Sequence, residues 1–143
     1  MSVRTAMLQL GSLPQTSLVA GSALYRSAPL DAAGPDYVNA VAELRTELEP
    51  ADLLTKLQSL EQAFGRQRPY QRAPRTLDLD LLFYGDRRIN APALTVPHPR
   101  AHQRAFVLAP LADLAPAWGL PDGRSVAAAL ATLHVQGVER IAA

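Results

Sequence analysis

The run Leu77-Asp78-Leu79-Asp80-Leu81 alternates leucine and aspartate, and this alternation constrains the local structure more than any other part of the chain. Side chains on an extended strand point alternately to its two faces, so a strand here places the leucines on one face and both aspartates on the other. The two aspartate Cα atoms are then about 7 Å apart, at ~3.3 Å per residue. Carboxylates at this spacing can hold one or two hard cations that keep open positions for other oxygen ligands.

An ordinary amphipathic strand with a solvated outer face is the alternative for the same run. Aspartate is uncommon in strands because its side chain competes for backbone hydrogen bonds, and two like charges on one face repel each other. A surface strand more often carries Thr, Lys or Glu at such positions. The alternation by itself leaves both the metal site and the solvated strand open.

Local patterns along the rest of the chain predict a single domain, residues 1–143, that mixes helices and strands. The clearest helix begins at Glu49-Pro50, because proline suits the first turn and Asp52 complements the positive end of the helix dipole. Its apolar side chains recur at helical spacing as far as Phe64, and Gly65 favours an end there. The other predicted elements are a helix over 3–13, strands over 18–25, 37–48 and 77–84, an edge segment over 87–90, helical turns over 100–114 and a helix capped by Ser125 that runs to about residue 134.

Length and composition exclude several classes of protein. The chain has 143 residues, 48% of them hydrophobic and 19% charged, which suits one soluble domain with one core. Apolar stretches are interrupted well before the ~20 residues of a membrane-spanning helix. The N-terminal residues lack the layout of a secretory signal and the chain has no cysteine, so we expect a cytoplasmic protein. The net charge of +1 disfavours a general nucleic-acid or membrane-surface binder.

Arginines are concentrated directly before the strand that carries the aspartates. Of the 14 Lys and Arg residues, 13 are Arg, a bias that a GC-rich genome also produces. Arg66, Arg68, Arg72 and Arg75 fall within ten residues that contain no acid. Guanidiniums beside a metal-binding carboxylate pair suit a triphosphate, because the metals neutralise the bridging oxygens while the arginines stabilise charge on the transferred group. The alternatives are a solvated run of charge and an RNA-binding patch.

A second group of basic residues, His98, Arg100, His102 and Arg104, lies in a later proline-rich loop. His98 stands between two prolines, which restrict the backbone on both sides and favour a positioned side chain. A structural histidine explains the pattern equally well. The chain has neither a Gly-x4-Gly-Lys phosphate loop nor a Gly-x-Gly-x-x-Gly run, so phosphate binding would rest on arginine and metal. No Ser-His-Asp or cysteine-based site is recognisable, which disfavours acyl transfer.

The run Pro74-Arg-Thr-Leu-Asp-Leu-Asp80, with Val96-Pro-His98, Arg104-Ala-Phe106 and Pro110-Leu111, resembles 6-hydroxymethyl-7,8-dihydropterin pyrophosphokinase of the folate pathway. The resemblance covers roughly residues 25–123 and rests on a specific combination of motifs. It implies a ferredoxin-like α+β fold, with an antiparallel-rich sheet covered by helices. It also implies transfer of the β,γ-pyrophosphoryl group of ATP to the pterin hydroxymethyl group, with two Mg²⁺ ions held with ATP. We expect a monomer that binds no nucleic acid and no membrane.

The resemblance also implies roles for individual residues, matched position by position. Aromatic faces suit stacking on a flat heterocycle, and an amide suits pairing with ring donors and acceptors. Taken alone, Tyr37 and Phe106 are typical of core residues. The implied positions are Asp78 and Asp80 for metal; Arg66, Arg68 and Arg75 with them for catalysis; Gln58, Glu61, His98 and Arg104 for ATP; and Ser27, Ala28, Leu30, Tyr37, Asn39 and Phe106 for the pterin.

Two features of the sequence depart from the family. Members begin with a strand ending in Gly-Ser-Asn, whereas this sequence starts within the helix that would follow, and we interpret Gly11-Ser12 as a helix end. A sheet without that strand would expose two hydrogen-bonding edges, so our hypothesis is a misassigned start codon or a truncated chain. Arg72 replaces a tryptophan found in many members, which exchanges a stacking group for a cation. A catalytically silent relative that still binds nucleotide or pterin is the main alternative, and a small RNA-binding module is the third.

Overall fold

The computed structural model describes residues 3–27, 37–65, 78–99, 104–133 and 138–141. These ranges contain four helices and seven short strands, and three of the strand pairs are antiparallel, which confirms the predicted α+β class. The chain divides into two compact units, one formed by Met1–Leu18 and Leu44–His98 and the other by Val19–Glu43 and Pro99–Ala143. The single domain stays a prediction. The elements are α1 (Val3–Leu10), β1 (Thr16–Gly21), β2 (Tyr25–Ser27), β3 (Tyr37–Asn39), β4 (Ala42–Thr46), α2 (Pro50–Gly65), β5 (Ile89–Asn90), β6 (Thr95–Val96), α3 (Ala105–Leu114), α4 (Val126–Thr132) and β7 (Val138–Arg140).

Helix α2 supplies a large buried face of the first unit and has the predicted bounds. Pro50 stands at its first position and Asp52 lies in its first turn, where a carboxylate is favoured by the helix dipole. Leu53, Leu57 and Phe64 are all buried. Their spacing of four and seven residues keeps them on one side of the helix, so the local signals and the burial agree.

Helix α1 ends at Leu10, earlier than predicted, because the chain makes a tight turn there. The amides of Gly11, Ser12 and Leu13 each donate to a carbonyl three residues earlier, which is the hydrogen-bond spacing of a 3₁₀ turn. A β-carbon on Gly11 would lie 3.1 Å from Cβ of Leu18. These contacts confirm Gly11-Ser12 as a helix end.

Strands β1 and β4 pair with each other and alternate between half-buried and exposed residues. The Oγ1 atoms of Thr16 and Thr46 lie 2.7 Å apart near one end. At the other end, Ser22 donates its amide to the Val41 carbonyl and accepts the Val41 amide on its hydroxyl, both at 2.8 Å. The Ser22 hydroxyl thus takes the place of a backbone acceptor, and the regular strand pairing is interrupted there. The strand predicted over 37–48 is therefore divided into β3 and β4. The strand predicted over 18–25 is divided into β1 and the start of β2.

In the second unit, β2 lies between β3 and β7 and is antiparallel to both. Tyr25 and Ser27 are buried while Arg26 between them is exposed, as the period of two requires. Residues 108–111 of α3 are buried, and α3 contacts β2, β3 and α4. The predicted cap of α4 is confirmed, since the Ser125 hydroxyl accepts the Ala128 amide at 3.1 Å.

The strand predicted over 77–84 is wrong for its described residues, 78–84, which belong to no helix or strand. The Leu79 amide donates to the Glu61 carboxylate at 2.9 Å, and the Leu82 carbonyl accepts the His98 amide at 2.8 Å. A ladder needs successive backbone groups bonded to one neighbouring strand, and these two bonds go to different elements. The segment ends as predicted, at a turn in which Gly85 has φ of 55°.

Two further segments complete the described part. The edge segment predicted over 87–90 is realised as β5, which pairs antiparallel with β6. The helical turns predicted over 100–114 are realised as one helix from Ala105, residues 100–103 lying outside the described ranges. Across the described residues, every helix is too short or too polar to cross a membrane.

Candidate active site

The two predicted metal-binding aspartates lie on the extended segment 78–84 of the first unit. Asp78 and Asp80 are exposed, and Leu79 between them is half-buried. This order matches the predicted alternation, even though the segment is held by hydrogen bonds to Glu61 and His98 and not by a strand ladder. Both aspartates are therefore exposed to solvent.

Glu61 fixes the backbone between the aspartates. Its Oε2 atom accepts the Leu79 amide at 2.9 Å, in a partly buried position. Glu61 projects from α2, and Gln58 lies three residues earlier on the same side of that helix, where it is exposed. Of the four residues that the resemblance assigned to ATP, Gln58 and Glu61 therefore share one side of α2, and Glu61 contacts the aspartate segment through a hydrogen bond that the sequence pattern did not predict.

The donor set of the segment fits Mg²⁺. This ion keeps several waters and is usually bound by one or two carboxylates together with substrate phosphates. Asp78 and Asp80 supply two such carboxylates. Among the described residues no group of three or more His, Asp or Glu side chains could hold a metal ion, and a site on this pair would be completed by substrate phosphates and water, as is usual for Mg²⁺.

The backbone of His98 is hydrogen-bonded to the segment that carries the aspartates. It follows Val96, which is buried at the end of β6, and the Val96–Pro97 peptide bond is cis. The His98 amide donates to the Leu82 carbonyl at 2.8 Å, and its side chain is half-buried. The loop that carries His98 is therefore attached directly to the segment that carries the aspartates.

The second unit brings together two of the predicted pterin residues. The Ser27 hydroxyl accepts a hydrogen bond from Nδ2 of Asn39 at 2.9 Å. Ser27 is buried and Asn39 half-buried, and they lie on adjacent strands, β2 and β3. One N–H of the amide is used in this bond, which leaves the Asn39 carbonyl oxygen and the second N–H as groups that suit a heterocycle.

Phe106 and Arg104 are neighbours at the start of α3. The Arg104 guanidinium carbon lies 5.6 Å from the centroid of the Phe106 ring, within the range of a cation–π contact. Both side chains are half-buried. A residue assigned to ATP and a residue assigned to the pterin therefore touch each other within one unit.

The remaining predicted residues cannot be placed. Tyr37 is described only as a residue of β3, paired with Ser27. The others lie outside the described residues: Ala28, Leu30, Arg66, Arg68, Arg72, Arg75, Arg100 and His102.

The sequence pattern did not predict a contact of Asp113 with Tyr25 and Ala23 in the second unit. The Tyr25 hydroxyl donates to Oδ1 of Asp113 at 2.8 Å, and the Ala23 amide donates to its Oδ2 at 3.2 Å. Burial, and secondly the hydrogen bond and negative charge of Asp113, raise the pKa of Tyr25 above its ordinary value, while Arg140 lowers it. The raised pKa extends to higher pH the range in which the phenol is protonated and can donate.

Comparison with known proteins identifies the family of the chain. The family model for 7,8-dihydro-6-hydroxymethylpterin-pyrophosphokinase (HPPK) matches residues 1–116. A 2-amino-4-hydroxy-6-hydroxymethyldihydropteridine pyrophosphokinase of Pseudomonas aeruginosa is 49% identical over 140 residues, which cover 97% of this chain and 86% of that protein. Proteins of the same name from Haemophilus influenzae and Synechocystis are 42% and 46% identical, over 87% and 81% of this chain and 78% and 63% of their own lengths. The chain belongs to the 7,8-dihydro-6-hydroxymethylpterin-pyrophosphokinase family, a family of ferredoxin-like α+β fold.

Proposed function

We propose that this protein transfers pyrophosphate from ATP to 6-hydroxymethyl-7,8-dihydropterin, an Mg²⁺-dependent reaction of folate biosynthesis. Its family and the names of its relatives support a pterin pyrophosphokinase, which is a transferase. The observation that carries the Mg²⁺ and ATP part of the proposal is the exposed pair Asp78 and Asp80 on a backbone held by Glu61. A magnesium nucleotide is the ligand that such a pair suits best.

Asp78 and Asp80 would hold two Mg²⁺ ions together with the phosphates of ATP. Bound Mg²⁺ neutralises charge on the phosphate oxygens during the transfer. The contribution of the chain is geometric: the Glu61 carboxylate holds the amide of Leu79, so both aspartate side chains start from a fixed backbone. Ligands that are already in place need less reorganisation in the transition state.

The remaining nucleotide contacts are assigned to basic and polar side chains. Gln58 and His98 would contact ATP from the elements that flank the aspartate segment. Arg66, Arg68 and Arg75 would stabilise charge on the transferred and leaving phosphoryl groups, since guanidinium pairs with phosphate oxygens in a two-pronged geometry.

The pterin would be bound by the second unit. Asn39 would pair with ring donors and acceptors while Ser27 fixes its amide, and the aromatic rings of Tyr37 and Phe106 would stack on the pterin. Ala28 and Leu30 would line the same site. Arg104 lies against Phe106, which supports a phosphate chain next to the pterin.

The reaction would be a displacement at the β-phosphorus of ATP. The hydroxymethyl oxygen of the pterin forms a bond to that phosphorus, the bond to the α-phosphate bridging oxygen breaks, AMP leaves, and the hydroxyl proton passes to solvent. No described side chain is assigned as the base. Positioning of the two substrates and electrostatic stabilisation would then supply most of the rate enhancement.

Calorimetric titration with a non-hydrolysable ATP analogue, with and without Mg²⁺, tests the metal assignment. We expect binding that needs Mg²⁺ and is lost in Asp78→Ala, whereas Asp86→Ala, a matched loss of an exposed carboxylate in the turn after the segment, binds normally. Binding that ignores both Mg²⁺ and the Asp78 substitution would refute the assignment.

AMP release in the presence of the pterin then tests the activity itself. We expect turnover by the unmodified protein and none by Asp80→Ala, with unchanged circular dichroism. A protein that binds ATP analogue and pterin but releases no AMP would be the silent relative, and loss of folding in Asp80→Ala would show that the carboxylate is structural.

A further inference from the structure

Asp113 attaches the last turn of α3 to β2 through both of its carboxylate oxygens. Oδ1 accepts the hydroxyl of Tyr25 at 2.8 Å and Oδ2 accepts the amide of Ala23 at 3.2 Å. Tyr25 is 9% exposed, so one of the two bonds leads into the core of the second unit. We call this arrangement the Asp113 brace.

The position of Asp113 is unfavourable for the helix that carries it. The C-terminal end of a helix bears partial negative charge, so an acidic side chain in the last turn is unfavourable there. Asp113 is the penultimate residue of α3, whose last turn contains no basic side chain. A residue that opposes the local preference points to a role in its contacts, as is common near functional sites.

On β2, the Asp113 brace is adjacent to the hydrogen-bonded pair Ser27 and Asn39. Tyr25 and Ser27 are both buried residues of β2, two positions apart and therefore on one face. Tyr25 is also the cross-strand partner of Asn39, whose amide donates to Ser27. A shift of Tyr25 would move both members of the pair.

On α3, the Asp113 brace is connected to Phe106 through the helix itself. Phe106 and Asp113 are separated by seven residues of α3, about 10 Å along the axis at ~1.5 Å per residue. The helix between them is packed, because Leu108, Ala109 and Leu111 are buried. Close-packed elements move as units, so fixing Asp113 against β2 also fixes Phe106 relative to β2.

We propose that Asp113 is a positioning residue for the pterin: through Tyr25 and Ala23 it sets the spacing between the Phe106 ring and the Ser27–Asn39 pair. This role rests on the proposed function, in which these residues bind the pterin. A flat heterocycle stacked on a ring and paired at its edge with an amide tolerates little change in that spacing. Asp113 itself does not touch the substrate in this mechanism.

Steady-state AMP release and fluorescence titration of the pterin test the proposal in Asp113→Ala, Asp113→Asn and Tyr25→Phe. We expect the KM and Kd for the pterin to rise about fivefold to tenfold in Asp113→Ala and Tyr25→Phe, the factor that loss of one good hydrogen bond produces. Asp113→Asn keeps one acceptor for the Tyr25 hydroxyl and should recover part of the affinity. The Kd of the ATP analogue should stay within a factor of about two, because the nucleotide contacts at Asp78 and Asp80 are untouched.

If Asp113 were merely structural, its replacement would weaken the binding of pterin and of the ATP analogue alike. Glu139→Gln removes an exposed charge from β7, the other neighbour of β2, and serves as the matched control. The proposal is overturned if a folded Asp113→Ala protein keeps its pterin KM, if the Kd of the ATP analogue rises by the same factor, or if Glu139→Gln has an equal effect. If Asp113→Ala fails to fold, Tyr25→Phe decides by the same criteria.

Failure of the Asp113 proposal can be distinguished from failure of the proposed function. An unmodified protein that binds pterin without releasing AMP would refute the transfer activity, and the fluorescence titration would still decide on Asp113. An unmodified protein that binds no pterin overturns the role of Asp113 as well.

Discussion

Replacing Glu61 should loosen the segment that carries the two aspartates. The Glu61 carboxylate accepts the Leu79 amide at 2.9 Å, and this bond lies midway between Asp78 and Asp80. Glu61→Ala leaves the amide to water, whereas Glu61→Gln keeps an oxygen acceptor without the charge. The three proteins thus separate the hydrogen bond from the charge of Glu61.

The size of the effect follows from the kind of bond and its exposure. A hydrogen bond to a charged group contributes about 1.5–3 kcal/mol when buried, and the half-buried position of Glu61 reduces this to about 1 kcal/mol. If the bond holds the aspartates in their binding geometry, its loss weakens Mg²⁺-dependent nucleotide binding by at most that amount, about fivefold. Glu61→Gln should retain most of the affinity.

Two measurements check this reasoning. Hydrogen exchange of the Leu79 amide should accelerate in Glu61→Ala, and calorimetry should give the fivefold increase in the Kd of a non-hydrolysable ATP analogue with Mg²⁺. Gln62→Ala, an exposed neighbour on α2, is the control and should change neither. Unchanged binding despite faster exchange would refute the link between segment and nucleotide, and a Gln variant as weak as the Ala variant would show that the charge matters instead.

Three further predictions concern the second unit, with α1 as a reference. Leu108→Ala, at a site 0% exposed, should lower the free energy of unfolding by about 3 kcal/mol in urea titrations, whereas Leu8→Ala, 69% exposed, should change it by less than about 0.5 kcal/mol. Ser125→Ala should cost about 1 kcal/mol in the same assay, because the amide of Ala128 loses its cap. Burial and Asp113 raise the pKa of Tyr25 above 10.0, with Arg140 opposing. The contribution of Tyr25 to the free energy of unfolding is therefore constant below pH 10.0 and is lost as the pH rises above it. In urea titrations at alkaline pH, Tyr25→Phe should lose less stability than the unmodified protein.

Elements with local signals were predicted well from the sequence. The bounds of α2 follow from Pro50, Asp52 and an apolar stripe that ends at Phe64, all within one helix. The cap at Ser125 and the turn at Gly85 depend on one or two residues each. Such features are determined by neighbours in the chain, so a single sequence is sufficient to find them.

The segment 78–84 shows why other features could not be predicted. Its alternation indicated a strand, but a strand also needs a partner, and the Leu79 amide binds Glu61 of the preceding helix instead. The Asp113 brace likewise joins residues 88 positions apart without any periodicity to link them. Contacts of this kind depend on how the elements pack, which local propensity does not encode.

The exposure of Asp78 and Asp80 also has a consequence for how metal and nucleotide would bind. An exposed carboxylate is screened by water, so two of them attract a divalent ion only weakly. Among the described residues no group of three acidic or histidine side chains could strengthen that attraction. The triphosphate can supply the missing negative charge and oxygen ligands, and Mg²⁺ bound to ATP already carries part of its coordination shell. Under the proposed function the pair would receive the metal together with the nucleotide, and binding of Mg²⁺ alone should be much weaker than binding of Mg²⁺ with ATP.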